Sequence, residues 1–162
     1  MHRYIQHIPS SKTKETNQHG GTEMNKLSRR SIERMNGLKS ILVLIITEGL
    51  ATSPHDFGIP KDGGRRTKKR QAELYAIGRT IDVHKSPITW TLDSNHLPDE
   101  EDGLGNAFDI FAYVNRKASW DLKYLGPIAR NLQKVAKKYG YELEWGQDLW
   151  GKDGAHFQLR KW

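Results

Sequence analysis

The chain has 162 residues, a formal charge of +7 and no cysteine; that length holds one compact core and excludes a comfortable pair of domains. The missing thiols exclude a disulfide-stapled scaffold, thiol catalysis and every zinc site built on thiolates, so transition-metal chemistry must use His, Asp or Glu. The excess of 26 Lys and Arg over 19 Asp and Glu points to a polyanionic partner, a class that includes nucleic acid, an anionic membrane surface and the bacterial cell wall.

Residues 1–23 are polar, rich in Ser, Thr, His and Gly, and carry no apolar period. Such a segment cannot offset the entropy of ordering, so it is expected to be a disordered or extended tail, with His2, His7 and His19 solvated. Residues 24–162 are expected to form one domain. Ser28 and Ser31 are candidate N-caps for a short basic helix over 28–37 closed by Gly37. The apolar segment 38–50 reads as a buried helix, although its β-branched run leaves a strand open on periodicity alone. Its run Ile41 to Ile46 is far short of the ~20 residues a membrane span needs, and no N-terminal signal is read, so the chain is expected to be held in a cytoplasm.

A short extended piece is expected over 57–59. Thr67 caps a helix over 68–77 in which Gln71, Leu74 and Tyr75 follow helical spacing, with Gly78 as the stop. Residues 79–105 read as loop, with an acidic run at Asp99, Glu100, Glu101 and Asp102. The segment 106–114 alternates and predicts one strand. Gly126-Pro127 opens a helix with Ile128, Leu132, Val135 and Tyr139 on one face and Gly140 at its end. Two short strands follow, over 141–145 and 156–159. The irregular mixture implies an α+β fold, a small and mainly antiparallel sheet flanked by helices.

In the strand over 106–114, period two puts Phe108, Ile110, Ala112 and Val114 on the core face and Asp109 on the other. A mid-strand carboxylate among apolar neighbours needs a cation or metal partner, or an opening onto a cleft; a salt bridge to arginine is the plain alternative. His156 and Gln158 share a face opposite Phe157 and Leu159, and the Asp153-Gly154 turn signal can bring Asp153 back beside His156. His96 lies in the polar loop Ser94-Asn95-His96. Together His96, Asp109 and His156 supply two imidazoles and one carboxylate, three protein ligands that leave a fourth tetrahedral position on zinc open for water. A nearby carboxylate can take the proton of that water as it attacks a carbonyl.

Ser94-x-His96, Gly105-x-Ala107-x-Asp109, Glu144-Trp145-Gly146 and Asp153-x-x-His156-Phe157-Gln158, in that order, resemble the zinc D,D-carboxypeptidase and L-alanyl-D-glutamate endopeptidase family. The nearest resemblance is to its single-domain bacteriophage endolysins, which SRRSIERMNGL, SPHDFGIP, GGRRT with RQAELYAIGRT, and ITWT also resemble, over about residues 27–159. The resemblance implies the small α+β fold of D,D-peptidases and Hedgehog, with zinc on one sheet face. It implies that His96, Asp109 and His156 bind one Zn2+, that Asp153 is the general base, and that Arg66, rather than Arg65, polarises the scissile carbonyl. Ser94, Trp90, Gln71 and Tyr75 match positions near the cleft, where support or substrate contact is expected. The stretch LPDEEDGLGNAF between His96 and Asp109 is an insertion relative to many members; its carboxylates read as a solvated loop, with a weak Ca2+ site as the alternative.

Glu144 is the rival base. Trp145 and Trp150 read either as groove walls or as packing, and His55 and His84 as surface residues. The basic cluster Lys61, Arg65, Arg66, Lys68, Lys69 and Arg70 reads as an attractor for an anionic polymer or as a solvated face. The expected function is therefore a zinc metallopeptidase that cuts the L-alanyl-D-glutamate bond of peptidoglycan stem peptides and lyses bacteria. As a phage lysin it would be a monomer that waits in the host cytoplasm for membrane permeabilisation, then acts at the anionic envelope. The alternatives are a D-alanyl-D-alanine carboxypeptidase and a non-catalytic cell-wall-binding module; a nucleic-acid binder has only the net charge in its favour.

Overall fold

Ser28 and Thr67 do what their positions predict. Ser28 Oγ accepts from the Ser31 amide at 3.1 Å to open α1 (Arg29–Arg34), and Thr67 Oγ1 accepts from the Arg70 amide at 3.1 Å to open α3 (Lys68–Ala76); each satisfies an amide that has no partner inside its helix. Ser31 is not a cap. It is buried, and its hydroxyl accepts from the Ile59 amide at 3.0 Å. The computed structural model describes residues 24–161; the tail expected over 1–23, with His2, His7 and His19, lies outside the described residues.

Between those helices the β-branched run forms a helix, α2 (Ser40–Thr52), followed by the two-residue strand β1 (Phe57–Gly58). The segment 106–114 is not one strand. It divides at Ile110 into β2 (Ala107–Asp109) and β3 (Phe111–Val114), which belong to different sheets. Ile110 is fully buried where the chain crosses between them, and its amide bonds to the Ala155 carbonyl at 3.0 Å. The predicted alternation survives the break, because Phe108, Ile110 and Ala112 are all fully buried.

After β3 come β4 (Lys117–Ser119), α4 (Leu122–Lys138), β5 (Leu143–Trp145), α5 (Gly146–Trp150) and β6 (His156–Leu159). Neither β4 nor α5 is anticipated by the sequence reading. Helix α4 starts upstream of the expected Gly126-Pro127, because the Asp121 side chain accepts from the Lys123 amide at 3.0 Å and caps it there. Pro127 therefore lies inside the helix. The buried face of Leu125, Ile128, Ala129, Leu132, Val135 and Ala136 offsets the bond that Pro127 cannot make. Tyr139, expected on that face, is the C-cap and 37% exposed.

The fold is α+β with antiparallel sheets, arranged as two three-stranded ones: β1-β3-β4 and β2-β6-β5. Helices α2 and α4 pack together, and their buried side chains join those of both sheets in one apolar cluster. On one face of β2-β6-β5, Phe108 and Phe157 stack at 5.2 Å between ring centroids, with Trp145 6.4 Å from Phe157. The opposite face is left for polar side chains, and there the register sets Asp109 directly across from His156.

Candidate metal centre

Asp109 ends β2, His156 begins β6, and His96 reaches them from the loop before β2. His96 Nε2 lies 3.2 Å from His156 Nδ1, and Asp109 Oδ1 is 3.3 Å from each of those nitrogens. The outer ring nitrogens fix the tautomers. His96 Nδ1 donates to the Gly64 carbonyl at 2.8 Å, and His156 Nε2 donates to Gln158 Oε1 at 2.9 Å. When neither ring carries a second proton, both inner nitrogens present lone pairs toward each other and toward a carboxylate oxygen, an arrangement suited to holding a cation. With ligand atoms within 4.8 Å of one another, the set of two imidazoles and one carboxylate suits zinc with a position open.

Burial pushes the Asp109 carboxyl upward, but the two imidazoles overcome it and hold the group well below the usual carboxylate range. Burial pushes His156 down, and its hydrogen bond and attraction to Asp109 more than reverse this, leaving it raised.

The turn Gly63-Gly64-Arg65-Arg66 holds two of the three ligands. The Gly63 carbonyl accepts from the Asp109 amide at 2.7 Å, the Gly64 carbonyl from the His96 ring, and the Arg66 amide donates to the His96 carbonyl at 2.8 Å. A side chain at Gly64 would overlap the Arg34 carbonyl, so the turn can lie this close only as glycine. Arg66 Nη2 donates to Asp109 Oδ2 at 2.9 Å, Nη1 to Gln71 Oε1 at 3.1 Å and Nε to the Asp62 carbonyl at 2.7 Å. The salt-bridge reading of Asp109 is realised at one oxygen, and the other faces the two imidazoles. The roles of Gly63 and Gly64 escape the sequence reading because they act through backbone carbonyls; paired glycines before a basic turn are the signal that could have marked them.

The cluster opens onto a cleft of about 740 Å³, lined also by Arg66, Ser94, Trp90, Trp150 and Asp153. Asp153 adopts a left-handed backbone, φ 66°. Its carboxyl is pushed above the usual carboxylate value, first by desolvation against the cleft wall and then by Asp109. Ser94 Oγ accepts from the His96 amide at 3.2 Å. The Trp150 ring lies 5.5 Å from the His156 ring.

Other candidates do not reach the cleft. Gln71 is 1% exposed and joins Arg66 to Thr89 and to the Thr91 carbonyl, a support rather than a substrate contact. Tyr75 packs under the Arg79 guanidinium at 3.9 Å. Trp145 is buried and donates to the Gly154 carbonyl at 2.8 Å, so it packs rather than walls a groove. Glu144, the rival base, lies outside the cleft lining and accepts from Gln158 Nε2 at 2.8 Å. Gln158 thus links Glu144 to the His156 ring, and Asn95 Nδ2 donates to the same Gln158 Oε1 at 2.9 Å, a network that the sequence does not announce.

Arg65 turns away to the Gly103 carbonyl, and Arg70 pairs with Asp62 and Glu73, so part of the basic cluster is internally committed. In the acidic insertion, Lys39 pairs with Asp99 at 3.5 Å and with Asp102 at 3.0 Å, so these two carboxylates already have a cationic partner. His55 packs edge-on against Tyr124, and His84 is exposed. No helix among the described residues is long and apolar enough to cross a membrane.

A family model described as phage L-alanyl-D-glutamate peptidase matches residues 24–161. The crystal structure of the Serratia marcescens L-Ala D-Glu endopeptidase ChiX matches with a TM-score of 0.68 and 31% identity, covering 85% of this chain and 92% of that one. No curated protein matches the chain.

Proposed function

The chain belongs to the phage L-alanyl-D-glutamate peptidase family, and from that membership we propose a zinc-dependent endolysin that hydrolyses the L-alanyl-D-glutamate bond of peptidoglycan stem peptides. The observation that carries the metal half of this reading is the pair of imidazole lone pairs, His96 Nε2 and His156 Nδ1, facing Asp109 Oδ1 at the edge of the cleft. Zinc held by those three residues would supply Lewis acidity and bring the pKa of water down to about 7.

The chain's own groups do the rest. Asp153, held at the cleft by the turn before β6, takes the proton of the attacking water and returns it to the leaving nitrogen. Its upward-shifted carboxyl suits that exchange better than an ordinary surface carboxylate would. Arg66 keeps Asp109 oriented with one N–H, uses two more on Gln71 and Asp62, and has two of its five donors left for the developing oxyanion. The protein is read as a monomer, kept in the host cytoplasm until the membrane is permeabilised.

Mass spectrometry of muropeptides from digested sacculi tests the reading. The expected product has a new amino terminus on D-glutamate, and Asp153→Asn keeps the metal while losing about 10²–10⁴-fold in rate. Loss of terminal D-alanine alone would establish the carboxypeptidase alternative, and binding to sacculi without cleavage would establish the binding module.

A further inference from the structure

The cleft carries cations that hydrolysis does not use. Arg66 is taken up by Asp109 and by the oxyanion role proposed above, and Arg70 is held by both oxygens of Asp62, at 3.0 and 2.8 Å, and by Glu73 at 2.9 Å. Lys152 is placed differently. It lines the cleft, immediately precedes Asp153, and makes no ion pair among the described residues; its ammonium stands 4.7 Å from the centre of the Trp90 ring. Trp90 comes from the loop between α3 and β2 and is 63% exposed. The Arg79 guanidinium, over Tyr75 at 3.9 Å, lies 5.9 Å from the same indole. A cation over an indole face is attracted by the ring yet keeps its N–H donors for another acceptor.

The substrate chemistry supplies that acceptor, on the reading that the scissile bond joins L-alanine to D-glutamate. A glutamyl residue acylated at its amine has two carboxyl groups, and continuation of the peptide uses one. The other stands free within a few bonds of the scissile nitrogen. Asp153 returns a proton to that nitrogen, so its neighbour Lys152 falls on the leaving-amine side of the cleft.

We infer that Lys152 is a specificity-determining residue, its ammonium seated on Trp90 and receiving the free carboxylate of the glutamyl residue that leaves. Lys61, the other lysine lining the cleft, follows Pro60 in the loop after β1 and has no such indole seat.

Two soluble stem peptides test this, identical except that the free glutamyl carboxyl is a carboxylate in one and a primary amide in the other. The wild-type protein is expected to favour the carboxylate by about tenfold in kcat/KM, the size of one hydrogen-bonded charge contact. Lys152→Gln brings the ratio close to one, mainly through KM, while Lys152→Arg retains a preference and Trp90→Leu reduces it. Lys152 is exposed, so its replacement does not threaten folding, and a merely structural role would not change the ratio. A wild-type ratio near one, or a preference that survives Lys152→Gln, overturns the inference; so does a ratio that collapses in Lys61→Gln instead. Failure of the wild-type protein to cut either peptide between alanine and glutamate overturns the bond assignment, and the inference with it.

Discussion

Gln158 shows how much of the site rests on the hydrogen bonds behind its metal-facing atoms. Its oxygen must face the N–H of His156 for Nδ1 to present a lone pair, and an amide turned the other way would set donor against donor. Glu144 settles the orientation, because a carboxylate can only accept and so demands the NH2 side of Gln158. We propose from this bond a positioning role for Glu144, beside the general-base role weighed from sequence. Glu144→Ala is expected to weaken zinc binding about 10–100-fold, with hydrolysis restored at saturating zinc. Glu144→Gln, which can still accept, should recover most of the affinity. Zinc titration in a competing chelator, read beside turnover, checks both; a variant that binds zinc normally and stays inactive would return Glu144 to the chemistry.

At the scale of elements, the site depends on close approaches that only glycine permits. Gly146 joins β5 to α5, and a methyl group there would overlap the Asp153 carbonyl oxygen and press on the Trp150 ring and on Asp153 Cβ, at 3.2 and 3.3 Å. Gly146→Ala should therefore shift the turn that carries Asp153 while leaving the apolar cluster intact. A misplacement of about 1 Å costs on the order of 10²-fold in rate, so the expected result is that loss in kcat/KM with an unchanged far-ultraviolet spectrum and normal zinc content. The same scale explains what the sequence could and could not disclose. Asp109, His156 and His96 are legible because a carboxylate in an alternating apolar strand and paired imidazoles are chemically conspicuous. Their register, Asp109 across from His156, is not legible, because strands of three and four residues carry too little pattern to fix a long-range pairing. The split at Ile110 is hidden for a related reason: side-chain alternation continues through it while the hydrogen-bonding partner changes. Gly126-Pro127 misleads because local punctuation is outweighed by the Asp121 cap and a buried helical face.

For the molecule as a whole, the cluster is a cross-link as well as the proposed reaction centre. It gathers His96, Asp109 and His156, the two histidines 60 positions apart, and draws in the Gly63-Gly64 turn through backbone carbonyls. Without a metal, the inner nitrogens of His96 and His156 still face each other across 3.2 Å, and a proton on His156 shared with Asp109 is the protein's partial substitute, in line with that ring's raised affinity for a proton. Bound metal should therefore stabilise the fold by linkage. An ion at a thousand times its dissociation constant contributes about 4 kcal/mol, and in a domain of this size each kcal/mol moves Tm by a few degrees. Chelation is thus expected to lower Tm by about 10 °C, and added zinc to restore it. Asp153→Asn should show the same shift, since that carboxylate is assigned to the reaction and not to the ion. A thermal transition indifferent to chelator would mean that the facing imidazoles are bridged by a proton alone, and the metal-dependent mechanism would fall with that result.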